Sequence, residues 1–498
     1  MLVSERVVRA RLQGMIVHPG QFIEVDDFVR ISILLTYIKY LFYSIWVLPA
    51  YRAVMVFRSW RANYQRYSVV QGLPRSESSS ISVAVLIPAK NSARFIAGSL
   101  LSVLNQSLAP RTIYVLDDAS TDKTTDIVLN IVRSKQGRLR SVEALNDRTV
   151  MRYEIVLKDE RVVQLVLVSF KTHVGKPRMI NSVLREVASR HDYIVVLDSD
   201  TILEKDYVEK VVSFLVNNRD VAGASGTILL WRPEGRSKAS WLFARGFRNI
   251  GSLSYQLLIR FTETVFGSVN SLSGCCSVFR AEKLVEVGGI PEDTYSDDTA
   301  IAWELQIRGY KVAYLPGAVS FTVDPSSPRR LLAKMYRITL GMQKLFFTRF
   351  RRIIKKRKWS LMLTGLYTSF GSIPFVFVLM NIVLTMLLVH MGVYNEGGSI
   401  AYSLFQFTPL SVILAFIYRY PVSYLAVSYV VGVAEGIALS LLLLRLYRDN
   451  QFVRAALRTS MKSVVFLPFT LWIQALVTLI VLPVSMYQVA VKKNVSKW

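Results

Sequence analysis

A short apolar stretch that ends in two carboxylates constrains the fold of this chain more than any other feature. Residues 193–200 read Tyr-Ile-Val-Val-Leu-Asp-Ser-Asp, so that five apolar residues lead into Asp198 and Asp200. Such a run is typical of a strand buried on both faces, as in a parallel sheet. The two aspartates then lie at the carboxyl end of that strand, where open α/β sheets bind their ligands.

The spacing of the two aspartates favours a metal site. Alternate side chains of a strand lie on the same face, so Asp198 and Asp200 can point toward one cation. Hard divalent ions take oxygen ligands and are often shared with substrate phosphates, which predicts Mg²⁺ or Mn²⁺ at this position. The same residues also suit the capped start of a helix predicted near 204–216, and both interpretations stay open on this motif alone.

Strand and helix patterns alternate along the central part of the chain. This alternation predicts an α/β fold with a parallel sheet and right-handed crossovers. Predicted strands cover 82–88, 112–116, 193–197, 221–230 and 311–315, and predicted helices cover about 93–105, 122–133 and 177–189. The rhythm breaks at 138–170, where two strand-like runs, 152–157 and 162–168, flank a polar stretch and predict a hairpin.

Long apolar stretches lie on both sides of this central region. The chain is 52% hydrophobic with a mean hydropathy of +0.34. Because about 20 apolar residues span a bilayer, we expect five stretches to enter one. They cover 31–56, 361–390, 401–418, 422–444 and 464–489. The first stretch has no small-residue cleavage site, so we expect no cleaved signal peptide.

The net charge of +26 follows the same arrangement. Basic residues crowd directly before the second apolar stretch, at 349–358, and directly after the first. This is the positive-inside pattern of membrane proteins, so we expect a lipid bilayer as a partner and no nucleic acid. The stretch at 401–418 contains Pro409 and is either a full span or a re-entrant segment, which leaves three or four C-terminal spans.

Two further features bound the kinds of site. Cys275 and Cys276 are neighbours, which rarely form a disulfide, and the four histidines are scattered, so we expect no zinc site. Residues 238–266 carry aromatic and aliphatic side chains among arginines. This pattern fits a helix in a membrane interface and fits an ordinary core helix equally well.

Acidic residues recur at strand ends and helix starts that a parallel sheet would bring to one edge. They are Asp117, Asp118, Asp198, Asp200, Asp297 and Asp298. In this order and spacing the chain resembles the family-2 glycosyltransferases with the GT-A fold. It resembles in particular the membrane-embedded cellulose, hyaluronan, chitin and poly-N-acetylglucosamine synthases. The resemblance covers about residues 81–345 and the pattern of flanking membrane segments.

The resemblance implies a role for each matching residue. It implies that a nucleotide-sugar donor is held by Pro88, Asn91, Asp117, Asp118, Lys176, Asp198 and Arg337. In the family, an aspartate of the Asp117-to-Asp122 motif contacts the uracil, and the lysine that matches Lys176 approaches the diphosphate. The pair Asp198 and Asp200 would hold the metal, and Gly274 and Cys275 match the acceptor side.

The resemblance also implies the catalytic group. Asp298, the last residue of Ser296-Asp297-Asp298, would be the general base that takes a proton from the acceptor hydroxyl. Asp297 beside it would raise the pKa of Asp298 by like-charge repulsion. Direct attack opposite the leaving diphosphate would invert the anomeric centre.

One motif departs from the family pattern. The synthases carry Gln-x-x-Arg-Trp before a helical glycine. Aligned on Gly341, this chain keeps Arg337 but has Lys334 and Ile338 in place of the glutamine and the tryptophan. In the family that tryptophan stacks on the acceptor sugar, so the change bears on processive extension and on the acceptor.

These inferences give an expected layout. It comprises an amphipathic segment at 1–30, a transmembrane helix at 31–57, a linker at 58–80, a GT-A domain at 81–327, basic interfacial helices at 328–358, a transmembrane region at 359–491 and a tail at 492–498. We expect a multi-pass plasma-membrane enzyme with a cytosolic catalytic domain. It would transfer sugar from a UDP-sugar to a growing polysaccharide and export the product through its own helices. Two alternatives stay open: non-processive transfer to a lipid such as polyprenyl phosphate, and an inactive membrane scaffold.

Overall fold

A ten-stranded mixed sheet organises the described part of the chain. The structure is a computed structural model, and it describes residues 80–157, 160–231, 252–323, 328–370, 424–461, 464, 477 and 480–488. The strands are β1 (Val83–Ala89), β2 (Thr112–Asp117), β3 (Arg138–Ala144), β4 (Arg148–Val156), β5 (Val162–Phe170), β6 (Tyr193–Leu197), β7 (Ile202–Leu203), β8 (Val221–Leu230), β9 (Cys276–Arg280) and β10 (Lys311–Thr322). Their order is β3-β4-β5-β2-β1-β6-β9-β8-β10-β7.

Helices connect these strands and cover the sheet. They are α1 (Ile96–Leu104), α2 (Thr124–Ser134), α3 (Lys176–Ala188), α4 (Tyr207–Asn217), α5 (Phe261–Val265, which continues a π-helix at Tyr255–Arg260), α6 (Ala281–Glu286), α7 (Asp297–Ile307), α8 (Pro328–Lys355), α9 (Trp359–Phe370), α10 (Tyr424–Leu446) and α11 (Gln451–Ser460). The strands β5, β2, β1 and β6 pair in parallel, which confirms the predicted α/β fold.

The central strands are buried on both faces. Val83, Val85 and Ile87 of β1 join one apolar core, and Ala84 and Leu86 join the core on the opposite face. Successive side chains of a strand point to opposite faces, so a strand between two helical layers must be apolar throughout. This is why the unbroken apolar runs of the sequence identified the central strands.

The predicted hairpin is confirmed, and it is part of a larger unit. Strand β4 pairs with β5 in antiparallel fashion, and β5 then pairs with β2 in parallel. Strand β3 was not predicted: it forms the outer edge of the sheet, and all seven of its residues are exposed. Its sequence, with charged residues among apolar ones, lacks the apolar run that marks a buried strand.

The segment before β9 is part of the core as far as it is described. Leu253, Leu257 and Phe261 are fully buried, so residues 252–265 are a core helix rather than an interfacial one. The earlier part of the predicted segment lies outside the described residues.

The basic helix α8 packs against α7. Its apolar residues Leu345, Phe346 and Ile353 are buried in the same core as Trp303 of α7. On its polar side, Arg349 and Arg352 pair with the buried carboxylate of Glu304 at 2.7 Å each. Farther along, the hydroxyl of Ser485 donates a hydrogen bond to the Gln343 side chain and links the C-terminal residues to α8.

The predicted membrane segments fall largely outside the described residues. The stretches at 31–56 and 401–418 lie wholly outside, as do most of 361–390 and 464–489, whereas 422–444 coincides with α10. Across the residues described here, no helix combines the length and the hydropathy that a membrane crossing requires.

Candidate active site at the carboxyl edge of the sheet

The two aspartates after β6 stand at the carboxyl edge of the sheet, as predicted. Strand β7 follows them directly, and the next helix, α4, begins only at Tyr207, so the interpretation of Asp198–Thr201 as a helix cap is wrong. Burial, and then the charge of Asp198, raise the pKa of Asp200 to about 6, while the charge of Lys334 acts in the opposite direction. Both burial and the neighbouring charge of Asp198 thus disfavour the charged form of Asp200.

Lys176 is the cation around which the other predicted residues gather. Its Nζ donates a hydrogen bond to Asp198 Oδ1 at 2.7 Å and to the Gly274 carbonyl at 3.2 Å. The same atom lies 3.6 Å from Asp297 Oδ2. Burial alone would lower the pKa of this ammonium, but the surrounding carboxylates, Asp198 first, raise it above its ordinary value. Lys176 therefore stays charged and joins three segments that are far apart in the sequence.

The loop before α3 aims Lys176 into this cluster. Gly175 has a φ of 90°, which favours glycine, and Pro177 occupies the first turn of the helix. Asp118 fixes the same loop, because its buried carboxylate accepts hydrogen bonds from the backbone N–H of Val174 at 2.7 Å and of Gly175 at 3.2 Å. His173 Nδ1 donates a third hydrogen bond to Asp118 Oδ2 at 2.6 Å.

Asp117 and Asp118 differ in what their carboxylates do. The oxygens of Asp118 accept hydrogen bonds from the loop before Lys176, whereas Asp117 accepts only a long one, 3.4 Å, from Thr125. The other oxygen of Asp117, Oδ1, is buried and has no hydrogen-bond partner among the described residues. A buried acceptor without a donor is costly, so Asp117 is the better placed of the two to receive a donor from a ligand.

Pro88 and Asn91 shape the loop after β1. Pro88 lies in register with Leu116, one residue before the paired aspartates of β2. Asn91 has a φ of 49°, and its Oδ1 accepts a hydrogen bond from the Thr121 backbone at 2.8 Å. Asn91 thus fastens the loop after β1 to the loop after β2, and this is the contact that the structure shows for it.

The acidic start of α7 lies on the other side of Lys176. Asp298 is held by the backbone N–H of Thr299 at 2.9 Å and by the Ser271 hydroxyl at 3.2 Å. Burial, and then the charge of Asp297, raise the pKa of Asp298. The predicted direction of this shift is confirmed, although burial contributes more than the predicted repulsion.

Gly274 lies between Lys176 and Asp298. Its carbonyl accepts from Lys176, and a Cβ at this position would lie 3.0 Å from Asp298 Oδ2, a distance that leaves no room for a larger residue. The neighbouring Cys275 accepts a hydrogen bond from the Asp198 backbone N–H at 2.9 Å through its carbonyl. The predicted acceptor-side segment therefore touches both halves of the candidate site.

Helix α8 brings its own cations toward the site. Arg337 is exposed, one turn after Lys334. The charge of Lys334 acts on Asp200, where it opposes the rise in the pKa. Sequence reasoning missed Lys334 as a site residue, as it missed His173. The signals were present: Lys334 precedes Arg337 by three residues, and His173 directly precedes the Val174-Gly175 turn.

The aspartates after β6 fit a divalent cation. Mg²⁺ and Mn²⁺ are commonly bound by one or two carboxylates, with substrate phosphates completing the coordination. Asp198 and Asp200 supply two such groups, and a cation would relieve the repulsion that raises the pKa of Asp200. Among the residues that the structure describes, no group of three or more His, Cys, Asp or Glu has the arrangement of a metal site.

Comparison with known proteins identifies the family. The profile of glycosyl transferase family group 2 matches residues 193–483, more than half of the chain, and that of glycosyl transferase family 2 matches residues 84–288. Poly-beta-1,6-N-acetyl-D-glucosamine synthase of Staphylococcus aureus (strain COL) is 23% identical over 282 residues, which cover 56% of this chain and 59% of that protein. The corresponding synthase of Staphylococcus epidermidis is 21% identical over 312 residues, covering 62% and 66%.

The chain thus spans about two thirds or less of the length of the curated relatives that it matches. Among solved structures, a mannosyltransferase from Pyrobaculum calidifontis in complex with GDP-Man and Mn²⁺ superposes with a TM-score of 0.46 and 17% identity, covering 86% of this chain and 99% of that one. Because one matching family profile covers more than half of the chain, the chain belongs to glycosyl transferase family group 2.

Proposed function

We propose that this protein transfers a sugar from a nucleotide-sugar, specifically a UDP-sugar, to a growing polysaccharide with inversion at the anomeric carbon. One observation carries the proposal: the ammonium of Lys176 lies between Asp198, Asp297 and Gly274. Three segments from distant parts of the chain meet there. A leaving diphosphate, a metal and an acceptor hydroxyl all have candidate partners around this one point.

The donor half of the site would bind the nucleotide diphosphate. The buried Asp117 Oδ1 suits an N–H of the base, and Lys176 suits the diphosphate oxygens. Mg²⁺ or Mn²⁺ on Asp198 and Asp200, when bound, would neutralise charge that develops on the diphosphate. Lys176 would supply a fixed positive charge at the same place, and Arg337 one that reaches the diphosphate when the donor is bound.

The acceptor half would remove a proton. Burial favours the neutral form of Asp298, so its carboxylate is a stronger base than an exposed aspartate. As the acceptor oxygen attacks the anomeric carbon, its proton passes to Asp298 and the bond from that carbon to the diphosphate breaks. Because attack and departure take place on opposite sides, the configuration of the anomeric carbon inverts.

We further propose a multi-pass plasma-membrane protein whose site faces the cytosol and whose product leaves through its membrane helices. The support is the set of five apolar stretches in the sequence together with the basic helix α8 beside the site. Nucleotide-sugars are made in the cytosol, so a donor site on that side fits this arrangement. Reporter fusions at positions 396, 450 and 495 would test the topology.

The direct test is turnover in purified membranes. Radiolabelled UDP-sugars are supplied one at a time with Mn²⁺, with Mg²⁺ or with EDTA. We expect labelled polymer from one donor with a divalent ion and little with EDTA. Absence of transfer across the donor panel would contradict the proposal and favour the inactive scaffold. Equal transfer by wild type and Asp298→Asn would contradict the proposed role of Asp298.

A second candidate is single transfer to a lipid acceptor such as polyprenyl phosphate. Ile338, which stands where the synthases have the tryptophan that stacks on the acceptor sugar, is 43% exposed on α8. An aliphatic residue there offers no aromatic face to a sugar ring. Product size separates the two candidates, because one sugar on a lipid favours this reaction and a long chain excludes it.

A further inference from the structure

A buried arginine with two unpartnered side-chain nitrogens in the described part of the chain lies near the acceptor half of the site. Arg260 is 8% exposed, and its Nε and Nη1 have no hydrogen-bond partner among the described residues. Its guanidinium lies 5.5 Å from the ring centre of Tyr255 and 5.9 Å from that of Tyr314. Aromatic faces stabilise a cation, but they do not satisfy its N–H donors, so two donor nitrogens remain available.

A second arginine of the same domain shows what a structural arginine looks like here. Arg280 also stacks on a tyrosine, with its guanidinium 5.6 Å from the ring centre of Tyr193. Its Nε donates to the Val221 carbonyl at 3.0 Å, its Nη1 to the Tyr193 hydroxyl at 3.3 Å, and its Nη2 to the Leu215 carbonyl. Arg280 is half-buried, and every nitrogen of its guanidinium donates a hydrogen bond within the fold.

The backbone that carries Arg260 is unusual. Arg260 is the last residue of the π-helix Tyr255–Arg260, and π-helical turns are rare and frequent at functional sites. The helix after it is tied to the acceptor side: Glu263 accepts a hydrogen bond from the Asn270 backbone at 3.0 Å, and the next residue, Ser271, bonds Asp298. The charge of Arg260 reaches that aspartate, since it opposes the rise in the pKa of Asp298.

We propose that Arg260 binds an anionic group of the acceptor, a phosphate or a carboxylate, beside Asp298. This deepens the proposed function, on which it rests, by naming the chemical class of the acceptor. A guanidinium whose Nε and Nη1 both lack partners among the described residues matches two oxygens of one anion. A single neutral sugar hydroxyl has one oxygen and would not engage both nitrogens in this fork geometry.

The two possible sources of the anion differ in the chemistry at the reacting oxygen. A lipid phosphate attacks the anomeric carbon through its own charged oxygen, the bond to the diphosphate breaks, and no proton has to leave. An acidic glycan attacks through a hydroxyl, whose proton passes to Asp298, while its carboxylate is held by Arg260. Asp298→Asn therefore lowers transfer to an acidic glycan far more than transfer to a lipid phosphate.

Binding is tested on the purified full-length protein in detergent, with UDP present so that the donor site is filled. Two probe pairs are used: farnesyl phosphate against farnesol, and an oligouronate against a neutral oligosaccharide of the same length. The melting temperature is measured for wild type, Arg260→Gln, Arg260→Lys and the matched control Arg280→Gln. Without probe, we expect Arg280→Gln to melt lower than wild type and Arg260→Gln not to, because only Arg280 loses internal hydrogen bonds.

The expected result is that the anionic member of one pair raises the melting temperature of wild type more than its neutral partner does. Arg260→Gln abolishes this difference, Arg260→Lys keeps part of it, and Arg280→Gln keeps it from a lower starting value. In transfer assays, Arg260→Gln raises the KM for the anionic acceptor roughly tenfold to a hundredfold and the KM for the donor much less.

Other outcomes overturn either the anion site or the proposed transfer. If neither anionic probe exceeds its neutral partner, or if Arg260→Gln keeps the difference, Arg260 has only water or protein partners. If wild type transfers sugar from no donor while the Arg260-dependent difference persists, the proposed transfer fails and the anion site stands. If transfer occurs and Arg260→Gln lowers it equally for charged and neutral acceptors, the transferase stands and the anion site fails.

Discussion

Adjacent residues of the same type have different partners in this protein. Asp117 and Asp118 follow one another at the end of β2, and alternation along the strand sends their side chains to different places. Asp118 receives three donors from the loop that carries Lys176, while Asp117 keeps a buried oxygen without a partner. The family motif alone does not distinguish these roles, because both residues match it.

We therefore expect different kinetic defects from the two aspartates. Asp117→Asn should raise the KM for the UDP-sugar roughly tenfold. The reason is that an amide offers the N–H of the base one neutral acceptor oxygen, whereas the carboxylate offers two charged ones. Asp118→Asn should chiefly lower kcat and the melting temperature, because an amide cannot accept from His173 and both backbone donors. Initial rates against donor concentration check this, and the reverse assignment of the two defects would contradict it.

Asp298, the proposed general base, is held in a position that disfavours its charge. Its carboxylate is buried beside Asp297, and both effects disfavour its charge. Asp298→Asn should lower kcat for a hydroxyl acceptor by about 10²- to 10⁴-fold, the usual contribution of a general base. The same change should leave the melting temperature equal or higher, because it removes buried charge. A fall in both quantities would indicate a structural role instead.

At the scale of elements, an ion cluster joins α7 to α8. Glu304 of α7 is buried and receives Arg349 and Arg352 of α8, and Arg349 also reaches Asp293 at 2.7 Å. Removing one partner of a buried ion pair leaves the other charges uncompensated. The cluster therefore fixes how the basic helix lies against the helix that carries Asp298.

Glu304→Gln should lower the free energy of unfolding by about 3–5 kcal/mol, the usual cost of breaking a buried pair. The matched control is Glu154→Gln, which removes an equally close pair, Arg140 to Glu154 at 2.6 Å, on the exposed edge of the sheet. Solvent screens that pair, so we expect no measurable change. Denaturant titration of the full-length protein distinguishes the two variants, and equal effects would refute the argument.

A histidine joins α3 to the sheet and makes stability depend on pH. His191 is buried, with Nδ1 donating to the Val187 carbonyl at 2.9 Å and Nε2 accepting from the Thr112 hydroxyl at 3.0 Å. Burial lowers the pKa of His191 below its ordinary value. The unfolded chain therefore binds this proton more readily than the folded one.

Stability from His191 is accordingly complete above the ordinary histidine pKa of about 6.5 and is lost as the pH falls toward the lower folded value. We expect His191→Gln to flatten the fall in melting temperature between pH 7.5 and pH 5. Parallel curves for wild type and variant would show that other groups control the acid limb.

At the scale of the whole molecule, one glycine sets how closely α8 approaches the site. Gly341 faces Ser296, the residue before Asp297, and a Cβ there would lie 3.0 Å from the Ser296 backbone nitrogen and closer still to its hydroxyl. Two residues later, Gln343 bonds Ser485. Helix α8 thus contacts Ser296, the residue before Asp297, and the C-terminal residue Ser485 within one turn.

Gly341→Ala should lower both kcat and the melting temperature. In a solvent-exposed helix the same substitution would be stabilising, because alanine is more favourable than glycine there by about 1 kcal/mol. The added methyl group pushes the start of α7, and with it Asp298, out of position. Adding Ser296→Ala removes the nearest obstructing atom and should restore part of both quantities. A higher melting temperature for Gly341→Ala alone would show that α8 yields without cost.

Local patterns predicted the parts of this molecule that depend on local chemistry. The apolar run of β6 identified the sheet, because a strand that is buried on both faces has to be apolar throughout. The carboxylates after it identified the edge that carries the candidate site. Lys176 was predicted to approach a diphosphate, but its position between Asp198 and Asp297 depends on how α3 and α7 pack. Whether Nε and Nη1 of Arg260 find a hydrogen-bond partner among the described residues likewise depends on residues far away in the sequence. No local sequence pattern therefore marks Arg260.

The sheet also has one border that stays open. Strand β3 offers a seven-residue row of amide and carbonyl groups to the surroundings, whereas β7 at the opposite border has only two residues. Exposed rows of this kind recruit strands from other chains, and the bulge and arginines of β3 oppose that recruitment. If the protein aggregates at high concentration, we expect it to do so through the exposed edge of β3. Val142→Lys should then reduce aggregation, which light scattering would measure.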